Sequence, residues 1–252
     1  MTAARLGANG EVRVKGAAIA AFVVLLCGAC SSSPKTTGNV VAPTITNSSE
    51  VAKVSDESRA RAIVLADADF PSGWQGTAHT EDATDREFER KLKACSGITQ
   101  TKGTADVFGD DVDQGQASVG SEATFFKTTA AAHADVGTVN NPRALPCVRS
   151  ILTDLLKAAL TKQGLTAARV SGVSLVRVRV ARYGDESAGL RLTATIAVAG
   201  QSLPFFQDIV VARKGRAEVT ASFFNAGGAF PATLERSLIG TLVARLIKDG
   251  GH

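Results

Sequence analysis

The sequence predicts an α+β fold, in which an antiparallel β-sheet meander packs against helices on one face. The first observation is strict alternation of apolar and polar residues in the C-terminal half, where Val176, Val178 and Val180 alternate with Arg177 and Arg179. Three further alternating runs are joined by short turns that contain glycine, and such turns connect antiparallel neighbours. The runs are residues 190–198, 203–211 and 217–223, with turns at Gly200-Gln201 and Lys214-Gly215.

The second observation is a set of amphipathic helices before and after these strands. Apolar residues recur at three- and four-residue spacing after Pro146 and again after Pro231, as expected of helices with one buried face. Thr84 and Glu87 form a capping box for a helix that runs to Cys95. Further helices are predicted from about Asp56 to Asp67 and from Thr128 to Val136, and a strand from Ala117 to Lys127. Residues 96–116 are predicted to be irregular.

The N-terminus predicts export and lipid attachment. A basic segment with Arg5, Arg13 and Lys15 precedes a short apolar run, and this is the layout of a signal peptide. Gly28-Ala29 before Cys30 resembles a bacterial lipobox, although Cys27 stands where leucine is usual. We therefore predict a lipoprotein signal peptide over residues 1–29, lipidation at Cys30, a disordered Ser/Thr/Pro-rich tether over 30–54, and a single α+β domain over 55–252. The alternatives are an uncleaved anchor helix or ordinary secretion with nearby cleavage.

Charge and cysteine usage narrow the class of protein. The whole chain has a formal charge of +4, and removal of residues 1–29 leaves +2, with basic and acidic residues interspersed. This argues against a nucleic-acid partner, which requires a clustered basic face. Cys95 and Cys147 remain after processing and are predicted to form a disulfide, because disulfides persist outside the cytoplasm. The alternative is a pair of free structural thiols.

The chain offers little catalytic chemistry. It has three histidines, His79, His133 and His252, and no nucleophile elbow, P-loop or zinc-protease motif. Four residues fit a calcium-loop template only in part and are interpreted as a solvated acidic turn: Asp111, Asp113, Gly115 and Glu122. We predict a non-enzyme without a cofactor or a metal, and an enzyme is the least favoured alternative.

Three pairs of adjacent phenylalanines predict a binding surface. Neighbours in a strand point to opposite faces, so one member of each pair follows the core and the other faces away. The outward members are predicted to be Phe126, Phe206 and Phe224, with Arg177, Arg179 and Arg191 beside them as a ligand or interface face. The alternative is that an N-terminal strand or helix covers this patch.

The order of these segments resembles a known family. The run Gly184-Asp185-Glu186-Ser187 leads into the meander, and the pieces VVARKGRAEVTASFF and FPATLERSLIGTLVARL carry most of the likeness. The chain resembles actinobacterial extracytoplasmic lipoproteins and the outer sensor domains of PknH-type serine/threonine kinases, and more loosely the PsbP-like sandwich. The resemblance implies a sensor-domain-like fold and ligand sensing outside the cell.

These observations predict a membrane-anchored extracytoplasmic lipoprotein that acts as a ligand-binding or sensor module. Its partners are predicted to be the membrane, through the lipid anchor, and an unidentified small molecule, lipid or envelope protein. Two alternatives stay open. One is a carrier of envelope lipid or glycolipid, which needs a large apolar cavity, and the other is a structural interaction module of the cell envelope.

Overall fold

The computed structural model describes residues 48–80, 83–98, 101–162 and 164–250. Within these ranges the chain forms five helices and eight strands, with a short 3₁₀ turn at Asp67–Asp69. The helices are α1 (Ser48–Ile63), α2 (Ala83–Ser96), α3 (Thr129–Val139), α4 (Ala144–Lys162) and α5 (Ala232–Gly250). The strands are β1 (Gln75–Ala78), β2 (Ala105–Phe108), β3 (Asp110–Gln114), β4 (Ala117–Phe125), β5 (Arg169–Arg177), β6 (Glu186–Val198), β7 (Gln201–Lys214) and β8 (Ala217–Ala226).

The strands form one antiparallel sheet in the order β1-β3-β4-β8-β7-β6-β5, and β2 also pairs with β4. The predicted meander is confirmed as β6-β7-β8. Its two-residue turns are Ala199-Gly200 and Gly215-Arg216, one residue away from the predicted turn pairs, and both glycines have the positive φ that such turns require. The segment predicted to be irregular contains β2 and β3, two short strands that extend the sheet beyond β4.

Helices cover both faces of the sheet, whereas the sequence predicted one covered face. We call the face packed against α3 and α4 the α4 face, and the face packed against α1 and α5 the α5 face. Neighbouring residues of β7 enter different cores: Ile209 and Val211 on the α4 face, Val210 and Ala212 on the α5 face. Because these strands are apolar in both phases, each face needs its own helical layer. The predicted α+β class is confirmed.

Helix α1 begins earlier than predicted and lies partly within the span assigned to the tether. It starts at Ser48, and residues 48–54 contain no glycine or proline that would end it. Asp56, predicted to lie at the helix start, is instead in its middle and is almost fully buried. The predicted signal peptide, Cys30 and most of the tether lie outside the described residues. No helix in the described ranges is long and apolar enough to cross a bilayer.

A disulfide joins α2 to α4, which confirms the predicted pairing of Cys95 with Cys147. The bond holds α2 against α4, where Phe88 and Leu92 of α2 enter the same core as Val148 and Ile151 of α4. The bridged residues are 52 positions apart in the chain. The disulfide therefore connects two helices that pack into the core on the α4 face.

Candidate functional site

An open cleft lies between α3 and the segment that leads into β6. Its volume is about 360 Å³, at the lower end of the range for small-molecule sites. Six of its eight lining residues carry polar or charged side chains, and the cleft is open to solvent. The lining residues are His133, Val136, Gly137 and Asn140 on the α3 side, and Arg182, Asp185, Glu186 and Ser187 on the other.

The wall formed by residues 182–187 is a tight turn that depends on Gly184. This residue has a φ of +65° and bridges to Arg213, and a Cβ atom at this position would lie 2.4 Å from the Arg213 carbonyl oxygen. The next residue, Asp185, donates its backbone N–H to the same carbonyl at 2.8 Å. Ser187 Oγ donates to the carbonyl oxygen of Ala181 at 2.9 Å, so this hydroxyl is engaged in holding the turn. Glycine is required here because only glycine combines positive φ with such close approach.

The two carboxylates of the cleft are already neutralised by cations. Glu186 Oε1 lies 2.5 Å from His133 Nδ1, and Glu186 Oε2 accepts a hydrogen bond from Arg213 Nε at 3.1 Å. The hydrogen bond from Arg213 is the main reason that the pKa of Glu186 lies below its usual value, and partial burial opposes it. Asp185 accepts the Gly215 backbone N–H at 2.8 Å and Lys214 Nζ at 2.9 Å, which lower its pKa in the same direction.

The rim of the cleft carries two arginines that have no acidic partner among the described residues. Arg182 is exposed, and within the described ranges no carboxylate lies within ion-pair distance of it. Arg177 is also exposed and donates to the backbone carbonyl of Asn140, one of the lining residues. His133 has about two thirds of its side chain exposed and is paired with Glu186, so it adds no unpaired charge. The positive charge that remains uncompensated can therefore attract an anion.

A buried polar layer continues from the cleft across the α4 face. Glu186, Arg213, Glu218 and Thr124 are paired in register on four successive strands, β6, β7, β8 and β4. Further polar side chains on this face are almost fully buried: Ser118, Glu122, Gln207, Thr220 and Ser222. Gln207 Nε2 donates to Ser222 Oγ at 2.6 Å. Burial of a polar group costs free energy unless the group is paired, so this polar layer differs energetically from the apolar remainder of the α4 face.

The predicted phenylalanine face does not exist as one surface. Phe224 is buried on the α4 face, where its ring lies 4.7 Å from that of Phe205, and Phe126 is fully buried after the end of β4. Phe206 is half-buried and lies on the α5 face, opposite Asn225. The prediction was wrong because the Gly215-Arg216 turn sets the register. This register places Phe205, and not Phe206, on the same face as Phe224.

The three predicted arginines are likewise separated. Arg191 lies on the α5 face and makes two hydrogen bonds of 2.6 Å to Asp208, an arrangement that raises the pKa of Arg191. Arg179 is exposed in the segment that follows β5. Of the six residues predicted for the face, Arg177 alone reaches the cleft.

The other residues considered for chemistry occupy different places. His79 follows β1, stacks on Phe108 at 4.4 Å and lies 3.0 Å from Asp111. Asp111 and Asp113 belong to β3, Gly115 to the turn after it, and Glu122 is buried on β4, so they do not form a calcium loop. Within the described residues no group of three or more acidic, histidine or cysteine side chains could hold a metal ion.

The sequence patterns predict no binding role for His133, Arg182, Asp185 or Glu186. One signal was available, because the turn at Ala199-Gly200 fixes the register of the β6-β7 hairpin. Counting back from that turn pairs Glu186 with Arg213. The approach of His133 depends on how α3 packs against the sheet, and no local pattern specifies this.

Comparison with known proteins gives distant structural likenesses. No family model and no curated protein sequence matches the chain. Among solved structures, the extracellular domain of PknH from Mycobacterium tuberculosis aligns with a TM-score of 0.36 and 12% identity, over 76% of this chain and 96% of that one. LpqN, involved in cell envelope biogenesis of Mycobacterium tuberculosis, aligns with a TM-score of 0.27 and 11% identity, over 71% of this chain and 83% of that one. Likenesses at these TM-scores assign no function to this chain.

Proposed function

We propose that this protein is a non-catalytic, membrane-tethered extracytoplasmic module that binds a small anionic ligand in the cleft between α3 and residues 182–187. The observation that carries the proposal is the charge balance of the cleft. Asp185 and Glu186 are neutralised by Lys214 and Arg213, whereas Arg182 at the rim has no acidic partner among the described residues.

The chemistry of the cleft suits a carboxylate or a phosphate. Guanidinium groups bind such anions through two parallel hydrogen bonds, and these charge-assisted bonds are stronger than neutral ones. The volume of about 360 Å³ fits a small polar molecule. A carrier of acyl chains requires a larger, enclosed apolar cavity, and the small volume, openness and charged side chains of this cleft favour the binding module over that alternative.

The second part of the proposal is a lipid anchor at the N-terminus. A signal peptide over residues 1–29 and lipid on Cys30 would hold the domain outside the cytoplasmic membrane, because several acyl chains together give stable anchoring. Metabolic labelling with a clickable fatty acid tests this part directly. The label is expected on the wild-type chain and not on Cys30→Ala, and a labelled Cys30→Ala chain would place the lipid elsewhere.

Ligand binding is tested by calorimetric titration of the full chain with inorganic phosphate, with succinate and with glucose as a neutral probe. We expect an anion to bind and the double variant Arg177→Gln/Arg182→Gln to bind it at least about tenfold more weakly, through loss of charge-assisted hydrogen bonds. The matched control is Lys127→Gln/Lys248→Gln, which removes the same charge from exposed positions outside the cleft. Equal weakening in both variants, or binding of glucose without either anion, would contradict the proposal.

A further inference from the structure

The folded chain gathers positive charge at one edge, although its total charge is small. Residues 136–184 contain eight lysines and arginines and a single acidic residue, Asp154, so this segment has a formal charge of +7. The rest of the chain after residue 29 therefore carries −5. The interspersed charges expected for the chain as a whole are therefore absent from residues 136–184, where basic residues dominate.

This segment forms a continuous part of the domain. It comprises α4, the edge strand β5 and the segments beside them, and α4 packs directly against β5. All eight cations are exposed, and none forms an ion pair within the described ranges. We call them the basic edge: Arg143, Arg149, Lys157, Lys162, Arg169, Arg177, Arg179 and Arg182.

The basic edge also exposes an apolar side chain. Val176, next to Arg177 in β5, is 48% exposed, and among the described residues Ile247 is the other large apolar side chain with comparable exposure. A surface that combines unpaired cations with an exposed aliphatic group suits the interface of a bilayer, where charges meet lipid headgroups and apolar groups enter the acyl boundary. We propose that the basic edge docks on the anionic phospholipid surface of the membrane to which the chain is tethered.

The choice of a membrane as partner uses the proposed lipid anchor but not the proposed ligand site. About 17 residues separate Cys30 from Ser48, so the chain between them can span at most roughly 60 Å even when fully extended. An anchored domain is therefore held close to the bilayer, and the high local concentration favours docking by many weak charge contacts. Export argues against nucleic acid, the other common partner of a basic surface.

The test measures capture of fluorescent vesicles by the full chain immobilised through a C-terminal tag. Vesicles of phosphatidylcholine alone are compared with vesicles that also contain phosphatidylglycerol; the neutral vesicles correct for apolar contacts of the N-terminus, and its charge contacts are the same in all variants. We expect the anionic vesicles to be captured at least about tenfold better, because each basic residue near an anionic surface adds attraction. The excess should fall as ionic strength rises.

Two variants with the same loss of charge locate the effect. The edge variant leaves Arg177 and Arg182 in place, so the ligand site is retained, and consists of Arg143→Gln, Arg149→Gln, Lys157→Gln and Arg169→Gln. The control variant removes four exposed lysines elsewhere and consists of Lys93→Gln, Lys102→Gln, Lys127→Gln and Lys248→Gln. We expect the edge variant to lose the preference for anionic vesicles and the control to keep it.

Three results would overturn the proposal. The first is equal capture of both vesicle types by the wild-type chain, and the second is equal loss of the preference in both variants, which would indicate net charge alone. A third result is tighter capture of duplex DNA than of anionic vesicles, which would assign the edge to a nucleic acid. Failure of anion binding in the cleft would leave these outcomes unchanged, so the two proposals fail separately.

Discussion

Asp56 of α1 accepts hydrogen bonds from the guanidinium of Arg216, 160 positions later in the chain, in the turn between β7 and β8. This ion pair fixes the first described helix to the central hairpin of the sheet. Thr104 Oγ1 also donates to Asp56, at 2.8 Å. The Asp56 side chain is 3% exposed and that of Arg216 is 28% exposed. Removal of Arg216 therefore leaves a buried charge, whereas removal of Asp56 leaves a charge that water can reach.

We expect Arg216→Ala to destabilise the domain by about 2–4 kcal/mol, because it leaves a buried carboxylate without its main partner. Asp56→Ala should cost less, because the guanidinium that remains can be hydrated. Urea unfolding of both variants tests this order, and the exposed pair Glu57–Arg61 supplies a control, with less than about 1 kcal/mol expected for Arg61→Ala. A larger loss in Asp56→Ala than in Arg216→Ala would contradict the assignment of Asp56 as the buried partner.

The same pair predicts a pH dependence. Burial raises the pKa of Asp56, but hydrogen bonds from Arg216 and Thr104 outweigh burial, so its folded pKa lies below the usual 3.8. A folded pKa below the unfolded value gives stability that is present above the unfolded pKa and is lost as the pH falls through the folded pKa. The free energy of unfolding should therefore differ most between wild type and Arg216→Ala above about pH 5, and the difference should narrow below pH 4.

That difference is the quantity to measure, because other carboxylates with lowered pKa values are common to both proteins and cancel. These are Asp69, Glu87, Asp185 and Glu186. Denaturant titrations at a series of acidic pH values measure this difference in unfolding free energy directly. A difference that stays constant with pH would show that Arg216 acts through its packing over the Phe125 ring, whose centroid is 5.3 Å from its guanidinium carbon, and not through charge.

The two phenylalanines once expected to share a face should respond differently to truncation. Phe224→Ala removes a ring that is almost fully buried on the α4 face, and we expect a loss of about 3–5 kcal/mol. Phe206→Ala removes a half-buried ring on the α5 face, and we expect about 1–1.5 kcal/mol from the smaller buried area. Chemical unfolding measures both, and equal losses would mean that the rings lie in equally packed surroundings.

These two residues show what the sequence can and cannot predict. Alternation along β6, β7 and β8 identifies the strands, because each side chain is compared with its own neighbours. The face shared by Phe205 and Phe224 depends on the register across the β7-β8 turn, and a shift of one residue exchanges the two faces. The helices were identifiable from their periodicity, whereas the face that each covers depends on tertiary packing that periodicity does not encode.

The disulfide should make a large contribution to stability. The bond closes a loop of 52 residues, and a cross-link that closes a loop of that size contributes roughly 3–4 kcal/mol by restricting the unfolded state. We expect the double variant Cys95→Ala/Cys147→Ala to lose about that much in urea unfolding. Reductant should destabilise the wild-type chain by a similar amount and leave the double variant unchanged. A double variant that still responds to reductant would implicate another thiol.

Gly184 provides the sharpest test of the cleft wall. Gly184→Ala forces a Cβ atom to within 2.4 Å of the Arg213 carbonyl oxygen at a positive φ, so we expect a loss of about 2–3 kcal/mol. The matched control is Gly240→Ala in the middle of α5, where a Cβ atom meets nothing within 4 Å. There alanine should stabilise the helix by about 0.5–1 kcal/mol.

Gly184→Ala should also weaken binding of the anion in the cleft. Relief of the clash moves the turn away from Arg213 and loosens the contact between Arg213 and Glu186, whose carboxylate then keeps more of its negative charge in the cleft. We therefore expect the folded variant to bind phosphate or succinate more weakly, while Gly240→Ala binds as the wild type does. Weaker binding without destabilisation would locate the effect in the cleft wall alone, and destabilisation with unchanged affinity would show that the anion does not depend on residues 184–187.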